Sequence, residues 1–387
     1  MKHLSPLLIA PALIMGGTLP ALAQSDAQRI AALENRVAEL ENRDEPLSFG
    51  SSNTTVDVYG YIKADFIYDF GAELGNTTFG LVGLDGTQSG DFFNATVNQT
   101  RLGFRSTTPT SFGELGTQVE IDFYGAAGAF STGGAEPRLR HANITLNGWR
   151  IGKYWTTFMP LSSYPITLDF QGVAGIPFAR QEMIQYTHEF GNNIVGQVAL
   201  EEHNGNSDDP VLIAALAYDT DPLLLRASGL IGNTNTSINT GTTANPNIVD
   251  TGDKDIWGVN LSTTAQLWEG ATLDAAYTVG DGIASYLVFL GDDFDANGDL
   301  VETQSAYVGL TQEVGENWTF RGIYGWRDID SGAVGDTETL ESVHLNAQYQ
   351  VAESTTLGVE YFHGTRDTFG GGSYDVDRIQ TSIQFSF

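Results

Sequence analysis

Apolar and polar residues alternate along most of this chain, most plainly in its last stretch. Ile379, Ile383, Phe385 and Phe387 share one face with Thr381, while Arg378, Gln380, Ser382, Gln384 and Ser386 share the other. Successive side chains of a strand point to opposite faces, so period two predicts a β-strand. A greasy face backed by a wet one is the pattern of a barrel strand crossing a membrane. The series opens the same way, with Val58, Gly60, Ile62, Ala64, Phe66 and Tyr68 set against Asp57, Tyr59, Tyr61, Lys63, Asp65 and Asp69. Similar segments fall near 94–107, 112–124, 138–146, 149–155, 182–190, 194–202, 211–219, 222–231, 255–267, 271–279, 303–312, 318–326, 341–350 and 356–363, about sixteen in all. In 138–146 and 149–155 the basic residues do not keep one parity. Lipid tolerates no open sheet edge. The expected fold is therefore all-β, a closed sixteen-stranded antiparallel transmembrane barrel, with the even strand number of bacterial barrels.

The connections alternate too. Tight turns such as Asn147-Gly148, Gly191-Asn192-Asn193, Asp219-Thr220-Asp221, Glu269-Gly270 and Gly315-Glu316-Asn317 follow even-numbered strands. Long polar loops, including 71–93, 156–181, 232–254 and 280–302, follow odd-numbered ones. Short periplasmic turns and long external loops place both ends of the barrel in the periplasm. A soluble β-sandwich or propeller also has short strands. It does not account for this asymmetry together with an export signal and a terminal Phe.

The start of the chain divides into three parts. Residues 1–23 read as a secretory signal: Lys2, an apolar run from Leu4 to Leu19 too short to span a bilayer, then Ala21-Leu22-Ala23 at the cleavage spacing. Residues 24–46 read as a short periplasmic coiled-coil helix. Ile30 and Val37 take a positions, Leu33 and Leu40 take d, with Arg29, Arg36 and Arg43 at g and Glu34 and Glu41 at e. Two heptads are marginal alone, so they serve as a homotrimer coil only if the barrels already hold three copies together. A helix docked on the barrel rim is the plainer alternative. Residues 47–55 form a linker, and 56–387 the barrel.

Composition narrows the partners. There is no Cys, as suits an oxidising periplasm. A formal charge of −30 argues against nucleic acid. The expected partners are the lipid bilayer with its lipopolysaccharide, further copies of the chain, and small solutes. Positive charge is unevenly spread: Lys63, Arg101, Arg105, Arg138, Arg140, Arg150, Lys153 and Arg180 precede the middle of the barrel, and six Lys or Arg follow.

Segment 156–181 lacks strand periodicity, carries Pro160, Pro165, Pro177, Gly172 and Gly175, and is greasy at Phe158, Met159, Ile166, Leu168, Phe170 and Phe178. Such a loop is expected to fold into the lumen and narrow it; packing on a neighbouring subunit is the alternative. Lys63, Arg101, Arg105, Arg138, Arg140, Asp169 and Arg180 are then the candidate constriction residues, because rings of Arg or Lys select anions through charge-assisted hydrogen bonds. Arg101 and Arg105 flank Gly103, which leaves space beside them. Glu114, Glu120, Asp122 and Asp169 are placed to neutralise them in part.

Tyr59-Gly60-Tyr61-Ile62-Lys63, Arg101-Leu102-Gly103-Phe104-Arg105, Arg138-Leu139-Arg140-His141-Ala142, Trp155-Thr156-Thr157-Phe158, Thr167-Leu168-Asp169-Phe170 and Arg180-Gln181, in this order behind a coil, make the chain resemble the DcaP-like trimeric porins. The resemblance implies trimeric passive channels that favour small organic anions such as dicarboxylates. It also implies a neutral amide where this chain has Lys153.

Enzyme chemistry finds little footing. There is no Cys nucleophile, and His141, His188, His203, His344 and His363 lack metal-ligand spacing. A tether or adhesin with an incidental or plugged pore is the other class to weigh. No cofactor is required, though Asp293, Asp295, Asn297 and Asp299, with Gly298 at the sixth position, follow the start of an EF-hand loop and mark a calcium site in an external loop. Gln304 replaces the bidentate Glu of that pattern.

Overall fold

The computed structural model describes residues 47–48, 53–205, 207, 209–240 and 245–387. The expected signal segment and the coil positions Ile30, Leu33, Val37 and Leu40 lie outside the described residues. Leu47–Ser48, in the expected linker, pairs back onto Thr55 and Val56.

Sixteen antiparallel strands close into one barrel. The first five are β1 (Thr55–Phe70), β2 (two pieces, Asp91–Thr96 and Arg101–Thr110, both paired with β1), β3 (Gly113–Asp122), β4 (Arg138–Leu146) and β5 (Trp149–Trp155). Then come β6 (Arg180–Gly191), β7 (Ile194–Glu201), β8 (Val211–Thr220), β9 (Leu223–Thr234), β10 (Lys254–Trp268) and β11 (Ala271–Asp281). The last are β12 (Glu302–Val314), β13 (Trp318–Ile329), β14 (Thr337–Ala352), β15 (Thr355–Thr368) and β16 (Gly372–Ser386). Closure comes from β1 against β16, from Tyr61 opposite Ser386 to Phe70 opposite Asp377. The terminal Phe387 exchanges both backbone hydrogen bonds with Gly60, each 3.0 Å, so the chain end is zipped to the first strand.

The outer face is apolar as the alternation requires: Ile62, Phe66, Ile151, Ile184, Leu261 and Leu345 are all exposed. Rings gather toward the turn end of the wall, where Trp149 packs on Tyr186 and Trp318 on Tyr349, each pair 4.8 Å apart. This is the position of an interfacial aromatic girdle.

The uneven parity of 138–146 has a local cause. A β-bulge sets Ile121 opposite Leu139 and Glu120 opposite His141, leaving Arg140 as the extra residue. Arg138, Arg140 and His141 thereby all reach the lumen side, against strict alternation. In β5, Lys153 turns instead to Glu182 at 2.9 Å, on the face shared with exposed Ile151 and Ile184. It is not a pore residue.

The loop between β5 and β6 covers 156–179, and Arg180 and Gln181 belong to β6. It does fold into the lumen, but not alone. Leu74 and Leu81 from 71–90, Val173 and Ile176 from 156–179, and Val288 and Phe289 from 282–301 form one apolar cluster against inward-facing Tyr307, Ile323, Leu340 and Phe362.

Candidate pore constriction

Residues 176–178 pair with 286–288 of the second inward loop, Phe178 N donating to Tyr286 O and Val288 N to Ile176 O at 2.8 Å each. Lumen-facing side chains satisfy other backbone groups of 156–179. Ser163 O accepts from Tyr307 Oη at 2.9 Å, Ala174 N donates to Ser342 Oγ at 2.9 Å, and Gly175 O accepts from Ser305 Oγ at 2.8 Å. At the tip, Leu168 N and Asp169 N donate to Glu360 at 2.8 and 3.2 Å. Glu360 is further held by His344 Nδ1 at 3.1 Å and Asn346 Nδ2 at 3.0 Å. The loop is thus strapped to β12–β15, with further ties to Lys63 of β1, Gln185 of β6 and Glu201 of β7. Open space remains beside it against Arg101, Arg140 and Trp155.

On that facing wall, Glu120 accepts from Arg140 at 2.7 Å and lies 3.4 Å from Arg101. Asp122 binds Arg138 at 2.6 Å and Arg140 at 2.9 Å. Arg180 stands over the Trp155 ring at 4.6 Å, and Arg140 reaches the same ring at 5.6 Å. Arg180 Nη1 is buried with no hydrogen-bond partner among the described residues. Three guanidinium groups therefore share two carboxylates, and Arg180 beside them stacks on Trp155, so four cations face two anions on one wall.

Four expectations change here. Asp169 does not neutralise Arg101 or Arg105. It accepts from Thr78 N, Thr78 Oγ1 and Gln171 N, and pairs with Arg378 at 3.2 Å. Lys63 is saturated by Asp65 at 2.8 Å and by Gln99 and Leu168 O at 2.7 Å each. The space beside Gly103 is filled: a Cβ there would lie 2.2 Å from the Tyr59 ring. Arg105 stacks on that ring at 4.1 Å, and Tyr59 Oη donates to Glu120 at 2.9 Å. Glu114 stays exposed near the turn end of β3.

Strand periodicity missed several residues that shape the site. Glu360, His344 and Arg378 are lumen residues whose parity was readable, but whose partners lie across the barrel. The run Tyr286-Leu287-Val288-Phe289 in 282–301 was a readable sign of a second inward loop.

The candidate calcium residues do not converge. Asp293 is buried, accepts from Ser285 N at 2.9 Å, and burial pushes its carboxyl up to about 6. Asp295 folds its own loop by accepting from Asn297 N and Asp299 N, each 2.9 Å. Asp299 pairs with Lys254 at 2.7 Å. Among the described residues no group of three or more acidic or His side chains is placed to hold a metal.

A closed barrel with an apolar outer band, inward loops and a charged constriction is the fold of an outer-membrane channel. The family model of the DcaP outer membrane protein matches residues 21–387, and the chain belongs to that family. Among solved structures, it is similar to the outer membrane channel DcaP of Acinetobacter baumannii, at 25% identity and a TM-score of 0.76 over 88% of this chain and 100% of that one. Two others share the fold at lower identity. The anion-selective porin from Comamonas acidovorans has 15% identity and a TM-score of 0.60 over 87% of this chain and 100% of that one. The trimer form of OmpT of Vibrio cholerae has 14% identity and a TM-score of 0.56 over 86% of this chain and 99% of that one. No curated protein matches the sequence.

Proposed function

We propose that the protein is a passive diffusion channel for small hydrophilic solutes that favours organic anions, dicarboxylates among them. The observation that carries the preference is the wall on which Arg101, Arg138 and Arg140 share Glu120 and Asp122 while Arg180 stands beside them on Trp155. Arg suits a carboxylate because its fork meets both oxygens. Single-channel reversal potentials in a salt gradient test the reading, and a potential of cation sign defeats it. The packed loops favour one other reading, a plugged tether; measurable conductance in a planar bilayer removes it.

The same reading makes the channel a homotrimer with its N-terminal coil in the periplasm. β5 has seven residues, short of the roughly 9–11 a tilted strand needs to cross the hydrocarbon. Its outer face also carries the Lys153–Glu182 pair. Such a face suits a protein neighbour better than lipid. Leu33→Asp with Leu40→Asp should lower the temperature at which trimers dissociate on a gel, while each barrel still folds. Unchanged dissociation counts against the coil.

A further inference from the structure

The passage is chemically two-sided. A cavity of about 500 Å³ opens beside the inward loop, lined on the barrel side by Lys63, Arg101 and Arg140 and, from β14–β16, by the polar Gln348, Thr356, Ser382 and Gln384. The loop side is apolar and includes Leu161, Tyr164 and Ile166. Leu161 and Ile166 are 44% and 50% exposed. Apolar side chains exposed inside a water-filled lumen gain nothing until a solute covers them.

The cations differ in their freedom. Lys63 and Arg140 are both buried and fully engaged, by Asp65, Gln99 and Leu168 O in one case and by Glu120 and Asp122 in the other. Arg101 retains an exposed fraction of 24%; its one carboxylate contact is the 3.4 Å ion pair with Glu120, which Arg140 holds more closely at 2.7 Å. A partly exposed guanidinium therefore shares the cavity with an apolar loop surface. Trp155 and Phe178, packed 4.7 Å apart, extend that apolar surface toward Arg180.

We propose that this constriction selects, among carboxylates of equal charge, those that carry an apolar body: the carboxylate docks on Arg101 while the body covers Leu161 and Ile166. The inference rests on the channel reading and narrows its solute class. A purely hydrophilic anion uses only half of the site. A neutral apolar solute does not engage Arg101.

Benzoate and acetate, matched in charge, are the probes. Each is added at equal concentration to purified protein in a planar bilayer, and residence is read from interruptions of the chloride current. Benzoate is expected to reside roughly 10-fold longer than acetate, equivalent to about 1.4 kcal/mol of ring burial. Leu161→Asn with Ile166→Asn should bring the ratio close to one. A ratio near one in the parent overturns the inference, as does an unchanged ratio in a conducting double variant. If the variant does not assemble, the parent ratio alone still decides. A parent channel of cation sign, or one that does not conduct, overturns the channel reading instead and the inference with it.

Discussion

Arginines on the two sides of the barrel have opposite neighbours. On β1–β6 each lies within 6 Å of an aromatic ring: Arg101 with Tyr61, Arg105 with Tyr59, Arg138 with Tyr124, Arg140 and Arg180 with Trp155, Arg150 with Tyr154. On β9–β16 four of the five arginines, all but Arg321, reach for loop carbonyls. Arg226 binds Thr157 O, Arg327 binds Leu290 O at 2.8 Å, Arg366 binds Leu84 O and Gly335 O, and Arg378 binds Gly75 O at 2.8 Å. A guanidinium stacked on a ring keeps the donors in its plane free of that ring. Arg138 and Arg140 give theirs to Asp122 and Glu120, while Arg101 stays partly exposed. One whose donors point at carbonyls is spent on holding a loop. The same residue type thus forms a cationic, ring-stacked wall on one side and the scaffold of the constriction on the other.

The comparison breaks most visibly at Arg378, which satisfies Asp69 at 2.6 Å, Asp169 at 3.2 Å and Gly75 O. Arg378→Ala strands two buried carboxylates and should cost about 3–5 kcal/mol. Denaturant midpoints measure this. Arg180→Gln, on the other side, should leave the midpoint nearly unchanged and shift the reversal potential. If both variants lose stability equally, the division of labour is wrong.

Asp293 sharpens the picture of the strapped loops. Its carboxyl titrates near 6 when folded against 3.8 for the ordinary group, chiefly through burial. Its contribution to loop stability is therefore whole below about pH 4 and is lost as pH rises through 6, a cost on the order of 3 kcal/mol above that point. Asp293→Asn keeps an acceptor for Ser285 N without the charge. Hydrogen exchange in 282–291 should be slower than in the parent at pH 7.5 and equal to it at pH 4. Equal rates at pH 7.5 would contradict the assignment.

A smaller effect is expected from Arg101→Ala with Arg105→Ala. Removing these cations should weaken anion stabilisation by roughly 1 kcal/mol, about fivefold in permeability ratio, and shorten current block by dicarboxylates. An unmoved reversal potential would assign the preference to Arg138, Arg140 and Arg180 alone.

Strand number, strand positions, the closing pair and the inward turn of 156–179 were legible in order of residues, because period two and turn chemistry are local. The clustering of Arg101, Arg105, Arg138, Arg140 and Arg180 in the first part of the barrel was readable as a candidate constriction set. Three things were not. The bulge at Arg140 depends on pairing with β3, so parity alone left its side undecided. Asp169 finds Arg378 rather than Arg101 because closure of β1 on β16 brings together residues 209 apart in sequence. The anchoring of Leu168 by Glu360 spans 192 positions. Alternation specifies which face a residue takes, since that follows from backbone geometry within a few residues. Which cation keeps its charge open is decided only when the barrel closes, because each carboxylate binds the nearest guanidinium in space and the low-dielectric interior leaves none of them unpaired at small cost.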